Sequence, residues 1–133
     1  MSEAATIPDD TSEILFEEGI IGVPRARRFQ ILERPGSEVR LLRCLDIEGF
    51  ALPVVDPLRA DASYRPELGP RIADAVALRE GDPVLLLAVA TIEADGPKAN
   101  LRAPVVINVR RRLATQVILD DRSLPLRAPL RAL

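Results

Sequence analysis

Three consecutive arginines, Arg110, Arg111 and Arg112, are the densest run of a single chemistry in the chain. Guanidinium groups bind phosphate oxygens in paired, charge-assisted hydrogen bonds, so such a run can hold a nucleic-acid backbone. Its setting favours a different reading. Apolar residues alternate on both sides of it, in "APVVINVRRRLATQVILDD" (103–121). A hairpin centred on Arg112 sets Val109 opposite Thr115, Ile107 opposite Val117 and Val105 opposite Leu119 on one side. Asn108 then faces Gln116 on the other, both exposed or bonded to each other. The arginines fall at the tip, where charge is solvated. The tip lacks the Gly or Asn of tight hairpins, which calls for a longer loop. No interleaved aromatics accompany the arginines, as an RNA-recognition surface would require. A turn is therefore preferred, with a basic-hairpin RNA-binding module as the alternative.

Carboxylates are the next chemistry to place. Asp9-Asp10 and Asp120-Asp121 are neighbours in sequence, and neighbours on a strand point to opposite faces, so neither pair forms a dyad. Carboxylate catalysis would need Glu17, Glu18, Asp46 and Asp56 on one surface. Other chemistries lack their reagents. The chain has no histidine, which removes imidazole bases and imidazole metal ligands. Its single cysteine, Cys44, cannot form an internal disulfide or a Cys-rich zinc site, and its apolar neighbours in "VRLLRCLDI" point to a buried thiol. "GIIG" lacks the lysine and spacing of a phosphate loop. A non-enzymatic protein with no metal and no cofactor is expected.

The elements that must carry these residues are mostly strands. Hydrophobic residues make up 47% of the 133, enough for one domain with a core. With three Phe, one Tyr and no Trp, that core is aliphatic. "SEILF" (12–16), "RRFQILE" (27–33), "VRLLRCLDI" (39–47), "FALPVVD" (50–56) and "PVLLLAVATIE" (83–93) read as strands. Phe29 and Ile31 alternate with Arg28, Gln30 and Leu32, and Pro53 marks an edge or bulge. Val54 and Val55 point to opposite faces, Pro57 ends their strand, and Asp56 caps the turn. "ADGPK" reads as a turn. One segment is helical: in "GPRIADAVALREG" Pro70 suits a first turn, Ile72 and Val76 share a face, and Gly81 is placed to end it. Residues 1–11 are acidic and small and read as a disordered tail, leaving 12–133 as the domain.

Charge is uneven although the net is only −2. Every ionisable side chain before residue 19 is acidic, whereas from Lys98 onward basic residues predominate. Such asymmetry marks a partner surface, or two chain ends that meet and neutralise each other. No apolar run is long enough to span a bilayer, and the acidic start lacks a signal-peptide pattern, so a cytoplasmic location without membrane contact is expected.

Four segments together resemble the flagellar assembly factor FliW family: "FEEGIIGVPRARRFQIL" (16–32), "LRCLDIEGFALPVVDP" (42–57), "DPVLLLAVATI" (82–92) and "NLRAPVVINVRRRLATQVILDD" (100–121). The last is the most specific, with Asn-Leu, then Ala-Pro, an apolar strand with Asn, a basic turn and Gln-Val-X-Leu. Departures fall at Val23, where the family often has an aromatic, at Leu113-Ala114, where it frequently has Gly, and at Arg127-Ala128-Pro129 in place of Arg-His-Pro. The resemblance implies an all-β, mostly antiparallel, small β-barrel-like domain. It implies no enzymatic activity and two protein partners: the RNA-binding translational regulator CsrA, which the family antagonises, and flagellin. Glu17, Glu18, Asp46, Asp56, Asn108 and Gln116 are the candidate partner contacts.

Overall fold

The computed structural model describes residues 13–131, so the tail expected over 1–11 lies outside the described residues. Nine strands are present among the described residues: β1 (Ile14–Phe16), β2 (Arg28–Leu32), β3 (Arg40–Cys44), β4 (Ala51–Val55), β5 (Val84–Glu93), β6 (Gly96–Ala99), β7 (Val105–Asn108), β8 (Leu113–Gln116) and β9 (Ala128–Pro129). One short helix, α1 (Gly69–Ala75), and a 3-10 turn at Pro57–Arg59 lie between β4 and β5. The expected mostly-β class with one helix is what forms.

The ladder runs β4-β3-β2-β1-β8-β7-β5, and β5 pairs back to β4, which closes the ring. Closure rests on two rungs, Val54 with Val89 and Val55 with Ala88. β6 and β9 extend from the far half of β5. All pairings are antiparallel except β1 with β8. Pro53 faces Leu41 of β3, and pairing to β5 begins only after it, so the proline occupies an edge position as expected.

Two cores result. Inside the ring lie Ile14, Phe16, Phe29, Ile31, Leu42, Val54, Leu87, Val105 and Ile107, together with Cys44, a free and buried thiol. Few as they are, the three phenylalanines meet: Phe16 and Phe29 ring centroids are 5.0 Å apart and those of Phe29 and Phe50 6.3 Å, both edge-to-face. The purely aliphatic core expected from composition thus has an aromatic centre, each such pair adding about 0.5–1.5 kcal/mol beyond its burial. The second core sits between β5, β6 and the C-terminal segment and contains Val55, Tyr64, Ala88, Ala99 and Leu101. Val54 and Val55 therefore point to opposite faces and enter different cores. The Tyr64 hydroxyl donates to Leu101 O at 2.8 Å, and burial pushes its phenol up to about 12.

Three expectations are corrected. The β7–β8 register pairs Asn108 with Leu113 and Val105 with Gln116, not Asn108 with Gln116. Val105, Val106, Ile107 and Asn108 are all fully buried, so apolar alternation cannot select a register there. The loop spans residues 109–112, closed by the Arg112 N–H on Asn108 O at 2.8 Å, with Arg112 in the left-handed region at φ 56°. A longer loop without Gly is thus what forms. The helix stops well before Gly81. The Leu78 N–H bonds Ala73 O at 2.8 Å and the Ala77 N–H bonds Asp74 O at 3.1 Å, a Schellman close with Ala77 at φ 51°. Finally, the turn read at "ADGPK" shrinks to Ala94-Asp95, and Gly96–Ala99 is strand β6, paired to the end of β5.

Candidate partner-binding surface

The loop from Glu17 to Arg27 joins β1 to β2 and is built around two glycines. The Gly19 N–H bonds Phe16 O at 2.9 Å, and a Cβ on Gly19 would lie 2.3 Å from Pro24 O, so only glycine fits there. Ile20 and Val23 then exchange backbone hydrogen bonds at 2.8 and 3.3 Å around a tight turn. That turn holds Ile21 outward, 47% exposed. Glu17 and Glu18 are exposed at the start of the same loop. Ile21 was not singled out from the sequence; an apolar residue bracketed by glycines was its available signal.

Side chains from both flanks fasten this loop. On the β2–β3 side, Asp46 Oδ2 accepts the backbone N–H groups of Arg27 at 2.9 Å and Arg28 at 2.7 Å, and Oδ1 accepts Arg28 Nε at 2.9 Å. These bonds, the Arg28 backbone N–H foremost, pull the Asp46 carboxyl down to about 2. On the β8 side, Gln116 Oε1 accepts the Ile21 N–H at 3.1 Å, and Nε2 donates to Ala103 O at 3.3 Å. Arg27 Nε closes the loop on Glu17 O at 3.0 Å. Glu17, Glu18, Asp46 and Gln116 therefore belong to one structure: two display charge and two hold the display in place.

Asp56 and Asn108 lie elsewhere. Asp56 Oδ1 accepts the Leu58 N–H at 3.0 Å and caps the 3-10 turn, the turn role read from its sequence. Asn108 is fully buried rather than exposed, and it does not bond Gln116. Its Nδ2 donates to Val76 O at 2.9 Å and lies 3.3 Å from Asp82 Oδ2.

Asp82 accounts for two of the three arginines. Its side chain is 5% exposed and sits 3.1 Å from Arg110 Nε and 3.1 Å from Arg111 Nη1. The Arg79 backbone N–H, foremost among its partners, keeps this carboxyl below the ordinary aspartate value, with Asn108, Arg111 and Arg110 adding to the effect. Two of the three arginines thus fasten the turn to the segment that follows α1. Sequence reading passed over Asp82, whose one signal was its position before Pro83 at the start of β5.

The chain ends do meet, since β1 pairs with β8 and the Leu15 N–H bonds Arg112 O at 3.0 Å. They do not neutralise each other among the described residues. Arg127 pairs with Glu93 and Lys98 with Asp95, while Glu13 lies 3.9 Å from Arg28. Among the described residues no group of three or more His, Cys, Asp or Glu is placed to hold a metal ion, and no helix is long and apolar enough to cross a membrane.

A family model described as FliW protein matches residues 2–130. The chain belongs to the FliW family. A flagellar assembly factor FliW from Symbiobacterium thermophilum is 35% identical, covering 86% of this chain and 86% of its own length. One from Bdellovibrio bacteriovorus is 32% identical over 88% of this chain and 69% of its own. The fold matches the crystal structure of a flagellar assembly factor FliW with a TM-score of 0.84 at 24% identity, over 96% of this chain and 91% of the other. The resemblance read from the four sequence segments is therefore correct, and FliW relatives carry the name of an assembly factor.

Proposed function

We propose that this chain is a non-enzymatic regulator of flagellin synthesis. In this reading it acts in the cytoplasm and binds two proteins, flagellin and a CsrA-type translational regulator. The observation that carries the reading is the loop at 17–27. It displays Glu17, Glu18 and Ile21 from a backbone clamped on one side by Asp46 and on the other by Gln116. A preformed epitope loses little entropy on binding, and an apolar residue beside carboxylates suits a partner whose own task is to grip phosphates with basic groups. Bound there, the acidic loop raises the local negative potential and slows the approach of RNA to the regulator. Flagellin that occupies this protein lowers the free antagonist and returns the regulator to its RNA. Coupling of ~1.4 kcal/mol changes apparent affinity about tenfold, and that coupling is reciprocal.

The RNA-binding alternative receives less support. Arg110 and Arg111 are engaged by Asp82, which leaves Arg112 as the turn arginine without an ion pair among the described residues.

The test adds this protein to a preformed complex of the regulator with labelled leader RNA. RNA release should saturate near stoichiometric amounts, weaken as salt rises above ~0.15 M, and be reversed by flagellin. Direct binding of this protein to the RNA, with the regulator unaffected, would falsify the proposal and restore the alternative.

A further inference from the structure

The ring of strands is closed by two rungs only, and below them β4 and β5 part. β4 ends at Val55, where Asp56-Pro57 turns the chain away, while β5 begins four residues earlier in its own register, at Val84. Along residues 84–87, β5 is paired to β7 on one side. The Val109 N–H on Pro83 O fixes the phase of that ladder, so Leu85 and Leu87 direct their N–H and C=O groups to β7. Val84 and Leu86 direct theirs the other way. Among the described residues these two bond to nothing there. They face a cleft of about 400 Å³ bounded by the 3-10 turn, Tyr64 and Arg40.

We propose that this cleft is a docking site for an extended peptide segment of a partner protein, which adds as a short strand to the open edge of β5 and presents an acidic side chain to Arg40. Unpaired backbone donors and acceptors alternating along a strand edge are complementary to another extended backbone, and strand addition is the binding mode that uses them. The length is set by the edge: residues 84–87 span roughly 10–13 Å, which admits three to four peptide residues. The walls are apolar, with Leu58 47% exposed at the rim, so side chains directed into the cleft are apolar. Charge comes from Arg40. Its side chain is 26% exposed, donates no hydrogen bond among the described residues, and has one carboxylate neighbour, the largely exposed Glu33, 3.5 Å from Nε. Asp56 borders the same cleft, but its Oδ1 is committed to the Leu58 N–H. The site is separate from the loop at 17–27 and does not depend on the function proposed for it.

The experiment is amide hydrogen exchange on the isotopically labelled full chain, with acetyl-Thr-Val-Glu-Val-Thr-amide as probe and its central-Lys counterpart as control. In the free protein the Val84 and Leu86 amides should exchange fast while Leu85 and Leu87 are protected. The Glu peptide should slow exchange at Leu86 by about tenfold or more, the scale of one charge-assisted hydrogen bond. Arg40→Glu should weaken the Glu peptide by a similar factor and favour the Lys peptide. Val84→Pro removes an N–H that β7 does not use, so the protein should stay folded and lose peptide binding. Protection of Leu86 in the free chain would mean that the edge is filled by the chain itself and would overturn the proposal. So would failure of the Glu peptide to protect Leu86, or equal binding by Arg40→Glu.

Discussion

Gln116 Oε1 accepts the Ile21 N–H at 3.1 Å, which links the end of β8 to the tip of a loop 95 residues earlier in the chain. The same amide donates to Ala103 O, so one half-buried side chain ties the displayed loop to the start of β7. Gln116→Ala should cost about 0.5–1.5 kcal/mol in denaturant unfolding, the net worth of an ordinary hydrogen bond. Its larger effect should fall on binding. Ile21 and its neighbours lose their preset geometry, so affinity for the regulator should drop with little change in the fold. Regulator affinity equal to the parent's, measured by calorimetry, would detach the clamp from function.

Asp46 supplies a pH signature. Its carboxyl is held at about 2 against an ordinary 3.8, by the Arg28 and Arg27 N–H groups above all. A depressed carboxyl contributes stability that is complete above the unfolded value and lost as pH falls through the folded one. Asp46→Asn should therefore be less stable than the parent by a constant margin above pH ~5, and the two should converge between 3.8 and about 2. Urea midpoints at pH 7, 4 and 2.5 would show it. A margin that persists undiminished at pH 2.5 would mean that shape rather than charge carries the contribution.

Ala77 offers a stabilising change. It closes α1 at φ 51°, where a Cβ crowds the following carbonyl. Ala77→Gly should raise stability by about 1 kcal/mol, because relief of that strain exceeds the added entropy of the unfolded glycine. Since Ala77 is exposed, no packing is lost. An unchanged thermal midpoint would indicate that the left-handed close costs nothing here.

The same alanine shows where sequence reading stopped. Strands were legible wherever one face was buried and the other wet, as in β2, where Phe29 and Ile31 go in and Arg28 stays out. Turn chemistry was legible where a side chain had a local backbone partner, as at Asp56. What failed was the end of a helix closed by Ala77 while Gly81 stood nearby, and the register of a strand buried on both faces, where polar and apolar positions no longer alternate. The site was half legible for a related reason. Exposed charges such as Glu17 and Glu18 announce themselves. Asp46 and Gln116 were singled out as contacts, but their long-range backbone bonds cannot be read from local pattern. Asp82 forms side-chain partnerships with Asn108, Arg110 and Arg111 that depend on how the segment after α1 lies against the end of β7.

Asn108 and Gln116 give the sharpest test of that corrected register. If they were cross-strand partners on a wet face, replacing either with Ala would change little. In the structure they differ. Asn108 is fully buried on β7, and its amide donates to Val76 O, just past the end of α1, and approaches Asp82. Asn108→Ala leaves that carbonyl without its donor and opens a small cavity beside a covered carboxylate. The expected loss is ~2–3 kcal/mol, the cost of stranding a buried polar group and emptying an amide's volume. The damage should also spread locally: with Asn108 gone, Arg110 and Arg111 lose the turn geometry that points them at Asp82, and protection from hydrogen exchange should fall across residues 76–82 and 109–112. Gln116→Ala should leave those segments untouched. Because the two side chains share no partner, the double variant should be additive within ~0.5 kcal/mol. Equal small losses for the two single variants, or strong coupling between them, would return Asn108 and Gln116 to the wet face of a differently registered hairpin.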